Sequence, residues 1–208
     1  MIEIERAEGR WTVIINRPDK ANSLTRDMLS GLADLAEEAA RENVAAFVLT
    51  GRGKVFSAGA DLDEARAGLA TDPVWERLSG AIAALPGLSI AALNGTLAGG
   101  AFGMALACDL RLAVPGARFF YPVMKLGFLP QPSDPGRLAA LVGPARAKLL
   151  LMGGAKITAD EAYAFGLVDL VVPGEEMETT IDALVADAIA APPQIRAGIK
   201  ALCNGRPA

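Results

Sequence analysis

Two short segments of small residues are the part of this chain best suited to chemistry. The first is FSAGADL at residues 56–62, and the second is NGTLAGGA at residues 94–101. Each follows a run that predicts a buried strand and precedes a run that predicts a helix. Small residues let a ligand approach the backbone closely and leave N–H groups free to point at it. These two segments, which we call the first and second corners, therefore predict a pair of N–H donors aimed at one oxygen, as an oxyanion hole requires. For either corner alone, tight strand-to-helix packing is the alternative.

Several common kinds of chemistry are excluded by residue types that the chain lacks. It has 208 residues and no histidine, which removes the commonest general base, the commonest metal ligand and any Ser-His-Asp or Cys-His arrangement. The two cysteines, Cys108 and Cys203, fit no metal or redox spacing, so no metal site is expected. Cys108 lies in an apolar run and predicts an inert buried thiol.

The composition of the chain limits the kinds of partner that the protein is expected to bind. The net charge of −4 offers no basic footprint, so we expect no nucleic-acid binding. The hydrophobic fraction of 52% predicts tightly packed elements and an oligomer that buries further apolar surface. The N-terminal residues MIEIER are not a signal peptide, and no uncharged apolar run is long enough to span a bilayer. A cytoplasmic protein without membrane association is the expectation.

Short apolar runs alternating with helical periodicity predict the elements that must position the corners. Residues 45–50 and 88–93 predict buried strands before the corners, and residues 99–107 predict an apolar helix after the second. Thr25 predicts an N-cap for a helix whose apolar residues recur as far as Ala39. The alternation predicts an α/β fold without a clear interdomain linker. Further helices are predicted over residues 61–69, 73–85, from 133 onward, 145–152, 158–165, 175–190 and 194–202.

Five motifs, in order, carry a resemblance to a known family. They are NRPDKANSL at 16–24, FSAGADL at 56–62, LNG through CD at 93–109, LGFLP at 126–130, and KITADEA with GLVD at 156–169. The chain resembles the crotonase, or enoyl-CoA hydratase/isomerase, family over nearly its whole length. The resemblance implies a spiral of strand-strand-helix repeats, an acyl-CoA thioester as ligand, and trimers or hexamers. Coenzyme A would enter as part of the substrate, with no separate cofactor.

The resemblance also implies a domain organisation. Residues 1–208 would form one crotonase-like domain, with a spiral core over 1–190. Residues 191–208 would form a C-terminal helical segment that is shortened relative to family members. We therefore expect a more open acyl pocket, or one closed by a neighbouring subunit.

Carried over by position, the two oxyanion donors would be the backbone N–H groups of Ala60 and Gly100. The predicted local structure agrees, because Gly100 would lie in the first turn of a helix, where unpaired N–H groups favour negative charge. The pair would polarise a thioester carbonyl and hold the enolate oxygen that develops during reaction.

The resemblance also implies a substrate-binding surface. Lys20 would lie near the nucleotide phosphates, the alternative being a solvated lysine in a turn. Asp61 would border the pantetheine and adenine path, the alternative being a helix N-cap. The full set of binding residues is Lys20, Ala21, Ala58, Gly59, Asp61 and Leu62.

The proton-transfer groups depart from the family pattern. Hydratases of the family use two glutamates, and the matching positions here are Gly103 and Val123. Neither can move a proton, and each such group typically contributes ~10²–10⁴-fold in rate. Two-glutamate hydration is therefore not expected, and Val123 also removes the carboxylate that isomerases need.

Asp134 is the best substitute carboxylate. It follows the segment at 126–130, near which aroyl-CoA dehalogenases carry a reactive aspartate, although the match is not residue for residue. The alternative is an N-cap, since Pro135 follows at a first helical position. Other candidates are Asp63 and Glu64, which resemble a solvated helix face, and Tyr121 and Lys125 as proton donors.

These observations predict an acyl-CoA-binding enzyme that stabilises a thioester enolate at Ala60 and Gly100, with Asp134 as its carboxylate. The alternative is a catalytically silent acyl-CoA-binding or assembly protein, favoured by Gly103 and Val123. A purely structural oligomer subunit is a third possibility, and it predicts no affinity for any acyl-CoA.

Overall fold

Ten strands form two sheets in the computed structural model, which describes residues 1–205 and 207. The larger sheet has the order β1-β2-β3-β5-β7-β10, and the smaller has the order β4-β6-β8-β9. In chain order the strands are β1 (Ile2–Ala7), β2 (Arg10–Ile15), β3 (Ala46–Gly51), β4 (Val55–Ser57), β5 (Leu88–Leu93), β6 (Thr96–Ala98), β7 (Leu110–Ala113), β8 (Arg118–Phe120), β9 (Ile157–Thr158) and β10 (Leu170–Val171).

The α-helices over the described residues number nine, and short 3-10 turns precede or link several of them. They are α1 (Arg26–Arg41), α2 (Leu62–Arg66), α3 (Val74–Ala83), α4 (Phe102–Ala107), α5 (Val123–Leu126), α6 (Asp134–Leu151), α7 (Ala159–Phe165), α8 (Met177–Ala190) and α9 (Pro193–Cys203).

The chain winds between the two sheets in a repeating order. β3, β5 and β7 each lie in the larger sheet, each is followed by a strand of the smaller sheet, and helices follow each pair. These strands run parallel, as a repeated unit with a crossover requires. The first two strands differ, because β1 and β2 form an antiparallel hairpin within the larger sheet. The predicted α/β class and the strand-strand-helix order are confirmed for these turns.

The core forms where the predicted helical face of α1 meets the sheet and α3. The Thr25 hydroxyl accepts the N–H of Met28 at 3.2 Å, which confirms the predicted N-cap. The helix buries six apolar residues at helical spacing, as the sequence predicts. They are Met28, Leu29, Leu32, Ala33, Ala36 and Ala39.

Local differences from the predicted elements lie mostly around the corners. The second corner enters its helix through a 3-10 turn at Gly99–Ala101 rather than directly. Helix α2 ends at Arg66, short of the predicted boundary at residue 69. Gly143 takes φ 79° and breaks α6 internally, so two helical segments occur there as predicted. Helix α9 occurs as predicted, while Arg206 and Ala208 of the predicted C-terminal segment lie outside the described residues.

Candidate active site

The two small-residue corners meet because the strands before them are neighbours. β4 pairs in parallel with β6, so the segments that follow leave the smaller sheet side by side. Gly59 has φ 92°, and a Cβ there would lie 2.9 Å from the carbonyl oxygen of Ala98 and 3.3 Å from the amide nitrogen of Gly100. Glycine is therefore required at Gly59 for both its backbone angle and its clearance. The backbones of the two corners are in direct contact.

The Ala60 amide is left free by the way its neighbours bond. The N–H of Leu24 donates to the carbonyl of Gly59 at 2.8 Å, and the N–H of Asp61 donates to the carbonyl of Leu24 at 2.8 Å. These two bonds fix the strand-like segment on either side of Ala60. Within residues 1–205 and 207, no acceptor receives the N–H of Ala60.

The Gly100 amide belongs to the opening turn of a helical run. Gly100 is the second residue of the 3-10 turn, and this turn continues into α4. The first N–H groups of a helix have no partner inside it. The partial positive charge of the helix start lies at the same place. The N–H of Gly100 therefore lies where a helix start favours hydrogen bonding to a negatively charged atom.

A cleft of about 150 Å³ is lined by both corners, including Ala60 and Gly100. Trp75 forms one wall, and its indole N–H donates to the carbonyl of Leu69 at 2.8 Å, which fixes the ring. A Cβ on Gly100 would lie 3.2 Å from that ring, so the indole packs directly on the second corner. Val123, at a position where the resemblance would place a glutamate, also lines this cleft.

Another part of the cleft lining is apolar and continues into a second cleft. A second cleft of about 480 Å³ shares Val123, Phe128 and Leu129 with the first and reaches Leu151 and Met152. Leu129 is 86% exposed, so this wall presents hydrophobic side chains to whatever enters. Its lining carries no ionisable side chain. An apolar group held at the corners can extend along it.

Asp134 lies buried behind the cleft. It is 1% exposed, its Oδ2 accepts the hydroxyl of Tyr121 at 2.8 Å, and its Oδ1 has no partner among the described residues. A Cβ on Gly103 would lie 2.8 Å from that Oδ1, so the absent side chain at Gly103 leaves the room that the carboxyl occupies. Burial raises the pKa of Asp134 to about 7. Burial also raises the pKa of Tyr121 well above its ordinary value, so Tyr121 stays a phenol.

The alternative interpretation of Asp134 as an N-cap is wrong. Helix α6 begins at Asp134 itself, with Ser133 in the capping position and Pro135 one residue into the helix. The N–H and hydroxyl of Ser133 both donate to Glu76 Oε1, at 3.0 and 2.9 Å. The carboxylate of Glu76 thus stabilises the helix start from α3, and the side chain of Asp134 turns inward. Asp134 does not line the cleft, whereas Tyr121 does.

Asp61 takes the N-cap role that the sequence analysis kept open. Its Oδ1 accepts the N–H groups of Asp63 and Glu64 at 3.1 and 3.4 Å, and its Oδ2 accepts Arg17 Nη1 at 2.8 Å. The Arg17 hydrogen bond, more than the capped N–H groups, holds the pKa of Asp61 below its usual range. The next residue, Leu62, is 72% exposed and lines the cleft.

The loop with Lys20 is fastened to the first corner. Lys20 ends a 3-10 turn at Pro18–Lys20 and is exposed. The N–H of Ala58 donates to the carbonyl of Ala21 at 3.0 Å. The structure thus brings Ala21 against the first corner and places Lys20 beside it, away from the cleft lining.

The remaining candidates do not meet at the cleft. The thiol of Cys108 donates to the carbonyl of Met104 at 3.4 Å, and burial raises its pKa to about 12, which confirms a buried thiol. Asp63 is paired with Arg66 on the surface, and Lys125 is exposed. Across residues 1–205 and 207, no group of three or more His, Cys, Asp or Glu is placed to hold a metal ion. No helix in that part of the chain is both long and apolar enough to cross a membrane.

Sequence analysis missed three residues that build the site. Trp75 forms a wall, Glu76 caps α6, and Gln131 lines the cleft while its Nε2 donates to the carbonyl of Ala70 at 3.1 Å. None of them belongs to a motif. Only the run Trp75-Glu76, a large aromatic and an acid at the start of a predicted helix, offered a signal.

Comparison with known proteins places the chain among sequence relatives. A family model described as enoyl-CoA hydratase/isomerase matches residues 5–205. A putative enoyl-CoA hydratase/isomerase, YngF of Bacillus subtilis, is 38% identical over 186 residues, covering 82% of this chain and 71% of the relative. 4-Chlorobenzoyl coenzyme A dehalogenase-2 of an Arthrobacter species is 31% identical over 209 residues, covering 96% of this chain and 76% of the relative.

Solved structures agree with the sequence relatives. An enoyl-CoA hydratase from Bacillus anthracis superposes with a TM-score of 0.90 at 33% identity, covering 98% of this chain and 83% of that one. DspI of Pseudomonas aeruginosa superposes with a TM-score of 0.89 at 35% identity, covering 98% and 86%. The match of sequence, fold and corner motifs leads to one conclusion: the chain belongs to the enoyl-CoA hydratase/isomerase family.

Proposed function

We propose that this protein binds an acyl-CoA thioester and stabilises its enolate with the backbone N–H groups of Ala60 and Gly100. The observation that carries the proposal is the contact between the two corners, which brings Ala60 and Gly100 to one cleft. Relatives named as enoyl-CoA hydratases and as a coenzyme A dehalogenase support a thioester as the ligand. Coenzyme A enters as part of the substrate, and the proposed chemistry calls for no separate cofactor.

The two amides would act on the charge that develops during reaction. When a proton leaves the carbon next to the thioester, the electron pair moves onto the carbonyl oxygen. Two preorganised N–H donors stabilise that oxygen without having to reorient, and losing one such donor typically costs ~2.7–4 kcal/mol in transition-state stability. The helix start at Gly100 adds a favourable dipole. The apolar wall at Val123 and Leu129 suits an uncharged acyl group.

The proposed binding surface runs from the first corner to the exposed loop. Ala58 and Leu62 border the cleft and Gly59 joins Ala58 to Ala60, while the pairing of Ala58 with Ala21 sets the position of Lys20. We propose that Lys20 meets the nucleotide phosphates. Asp61 supports this surface indirectly, by capping α2 and holding Arg17.

We propose that Asp134 supplies the carboxyl of the reaction in place of a pair of glutamates. Gly103 and Val123 supply no carboxylate, and the carboxyl of Asp134 occupies the space beside Gly103. A single carboxyl favours movement of a substrate proton over addition of water, because hydration needs a group that activates water as well. We infer that the reaction differs from two-glutamate hydration.

Gly100→Pro compared with Gly100→Ala tests the proposal. Both substitutions add atoms beside Trp75, but only proline removes the N–H. The carbonyl stretch of bound crotonyl-CoA, measured by infrared difference spectroscopy, should shift to lower frequency with wild type and with Gly100→Ala. Gly100→Pro should lose most of that shift and, with 3-hexenoyl-CoA followed by absorbance, about 10²–10³-fold in turnover. Equal shifts in all three proteins would contradict the role of this amide.

A catalytically silent thioester-binding protein is the second candidate, favoured by the absence of a carboxylate at Gly103 and Val123. It predicts the same carbonyl shift with no turnover of any acyl-CoA. Calorimetry with butyryl-CoA, followed by turnover assays across a panel of enoyl-CoA thioesters, separates the two. Binding without turnover supports this second candidate, and absence of binding contradicts both.

A further inference from the structure

Tyr121 and Asp134 form a buried acid pair, with Tyr121 at the wall of the cleft and Asp134 behind it. Tyr121 lines the cleft together with Ala60 and Gly100, and its hydroxyl donates to Asp134 Oδ2 at 2.8 Å. The ring of Tyr121 stacks on Phe102 with centroids 5.3 Å apart. The phenol is therefore held in one position between the cleft and the carboxyl.

The carboxyl of Asp134 is unusual because one of its two oxygens makes no hydrogen bond within the described part of the chain. Its Oδ1 is buried and unpartnered within the described part of the chain. A buried polar atom without a partner costs stability, so such atoms in folded proteins call for an explanation. Gly103 leaves space for this oxygen, since a Cβ would approach it to 2.8 Å. The fold thus keeps a destabilising carboxyl in a space that a side chain at Gly103 would otherwise fill.

Burial, together with the groups around Asp134, brings the pKa of this carboxyl close to neutrality. Burial raises the pKa of Asp134 to about 7, and Glu76 of α3 acts in the same direction. The hydroxyl of Tyr121 and the charge of Arg137 act in the opposite direction and lower this pKa. Perturbed acids beside a cleft are frequent at sites of proton transfer.

We propose that Tyr121 transfers the substrate proton and that Asp134, acting through Tyr121, holds it. This rests on the proposed function. The C–H bond next to the thioester breaks, and its proton goes to the phenol oxygen while the phenol proton passes to Asp134 Oδ2. The electron pair of the C–H bond becomes the enolate, whose oxygen is bound by the N–H groups of Ala60 and Gly100.

The reverse transfer completes the cycle. The carboxyl of Asp134 returns its proton to the phenol oxygen, and Tyr121 gives its proton to a carbon of the enolate. Return to the same carbon gives proton exchange, and return to the carbon two bonds away moves the double bond. Atoms and charge balance without water or any further reactant. Thioesters that can undergo a 1,3-proton shift, such as 3-enoyl-CoA, are therefore suitable probes of the pair.

Tyr121→Phe and Asp134→Asn test the pair with matched controls. Tyr163→Phe and Asp160→Asn change an exposed tyrosine and an exposed aspartate on α7, so they control for the same chemical changes. Isomerisation of 3-hexenoyl-CoA and loss of the α-protons of butyryl-CoA into D₂O, followed by NMR, report proton transfer. We expect each test variant to fall ~10²-fold or more, the usual range for an acid–base group, and each control to match wild type.

A pH profile distinguishes proton transfer from a merely structural role. In wild type, kcat/KM should rise to a plateau as Asp134 ionises through pH values near 7. Any residual activity of Asp134→Asn should lack that rise. This profile also decides the matter if Tyr121→Phe fails to fold, which thermal unfolding will show.

The outcomes separate this inference from the proposed function. A carbonyl shift for bound crotonyl-CoA with no α-proton exchange in wild type overturns the Tyr121–Asp134 relay while leaving the amide pair intact. Exchange retained in Tyr121→Phe but lost in Asp134→Asn also overturns it, because Asp134 would then act directly. Absence of the carbonyl shift in wild type overturns the proposed function itself. Loss of exchange in both variants, with the carbonyl shift retained, supports the relay.

Discussion

Two aspartates at helix starts show how differently the same side chain can be used in this protein. Asp61 caps α2, pairs with Arg17 and has a lowered pKa. Asp134 opens α6 but turns into the interior, with one oxygen bonded to Tyr121, one unpartnered and a raised pKa. Both follow the same local preference for an acid at a helix N-terminus. The contrast teaches that the cap is provided elsewhere when the acid is needed inside, here by Glu76 on Ser133.

Filling the space beside Asp134 should have the largest effect on stability. Gly103→Val places a Cβ 2.8 Å from Asp134 Oδ1 in a packed helix, so we expect a loss of about 2–3 kcal/mol from overpacking. Urea unfolding measures it. In an Asp134→Gly background the same change should cost at least about 1 kcal/mol less, because the two positions compete for one space. Equal costs in both backgrounds would contradict that competition.

Neutralising Asp134 should stabilise the protein at alkaline pH. The pKa of Asp134 is about 7 when folded, against about 3.9 unfolded, so wild-type stability falls as the pH rises between these values. Asp134→Asn removes this loss but leaves part of its amide unpartnered, so we expect a net gain of about 1–2 kcal/mol at pH 8. Unfolding at pH 5 and pH 8 checks the sign. A gain that does not increase with pH would contradict a buried ionisable carboxyl.

Changes at Asp61 should have the smallest effect and the opposite pH dependence. Asp61→Ala removes the N-cap and should cost about 1 kcal/mol, whereas Asp61→Asn keeps a capping oxygen and should cost less. Because the folded pKa of Asp61 is lowered, its contribution is present above about pH 4 and is lost as the pH falls through the folded value. Thermal unfolding from pH 7 to pH 2 compares both variants with wild type. Asp61→Asn as destabilising as Asp61→Ala would contradict the cap.

Much of the fold could be predicted from local patterns. The apolar spacing of α1, its cap at Thr25 and the alternation of strands with helices follow rules that act within a few residues. Strands β4 and β6 have three residues each, which is too short for an alternating pattern to identify them. Their pairing is nevertheless what joins the two corners.

The inward direction of Asp134 could not be predicted from the sequence. The local pattern of an acid followed by Pro135 favours a cap, and only the packing of α6 against Tyr121 and Gly103 decides otherwise. Trp75 was missed for a similar reason, because its contact with Gly100 joins residues of separate elements and leaves no local signal. The corners themselves were predictable because runs of small residues, which allow close approach to the backbone, can be recognised directly in the sequence.

The parallel pairing of β4 with β6 has a consequence for how this protein can change. Neighbouring strands in a ladder lie ~4.7–4.9 Å apart, whatever side chains they carry. The separation of backbone groups that directly follow two such strands is therefore set by the spacing of the strands. Substitutions among the surrounding side chains can thus change which ligand fits, while the distance between the two backbone segments stays constant.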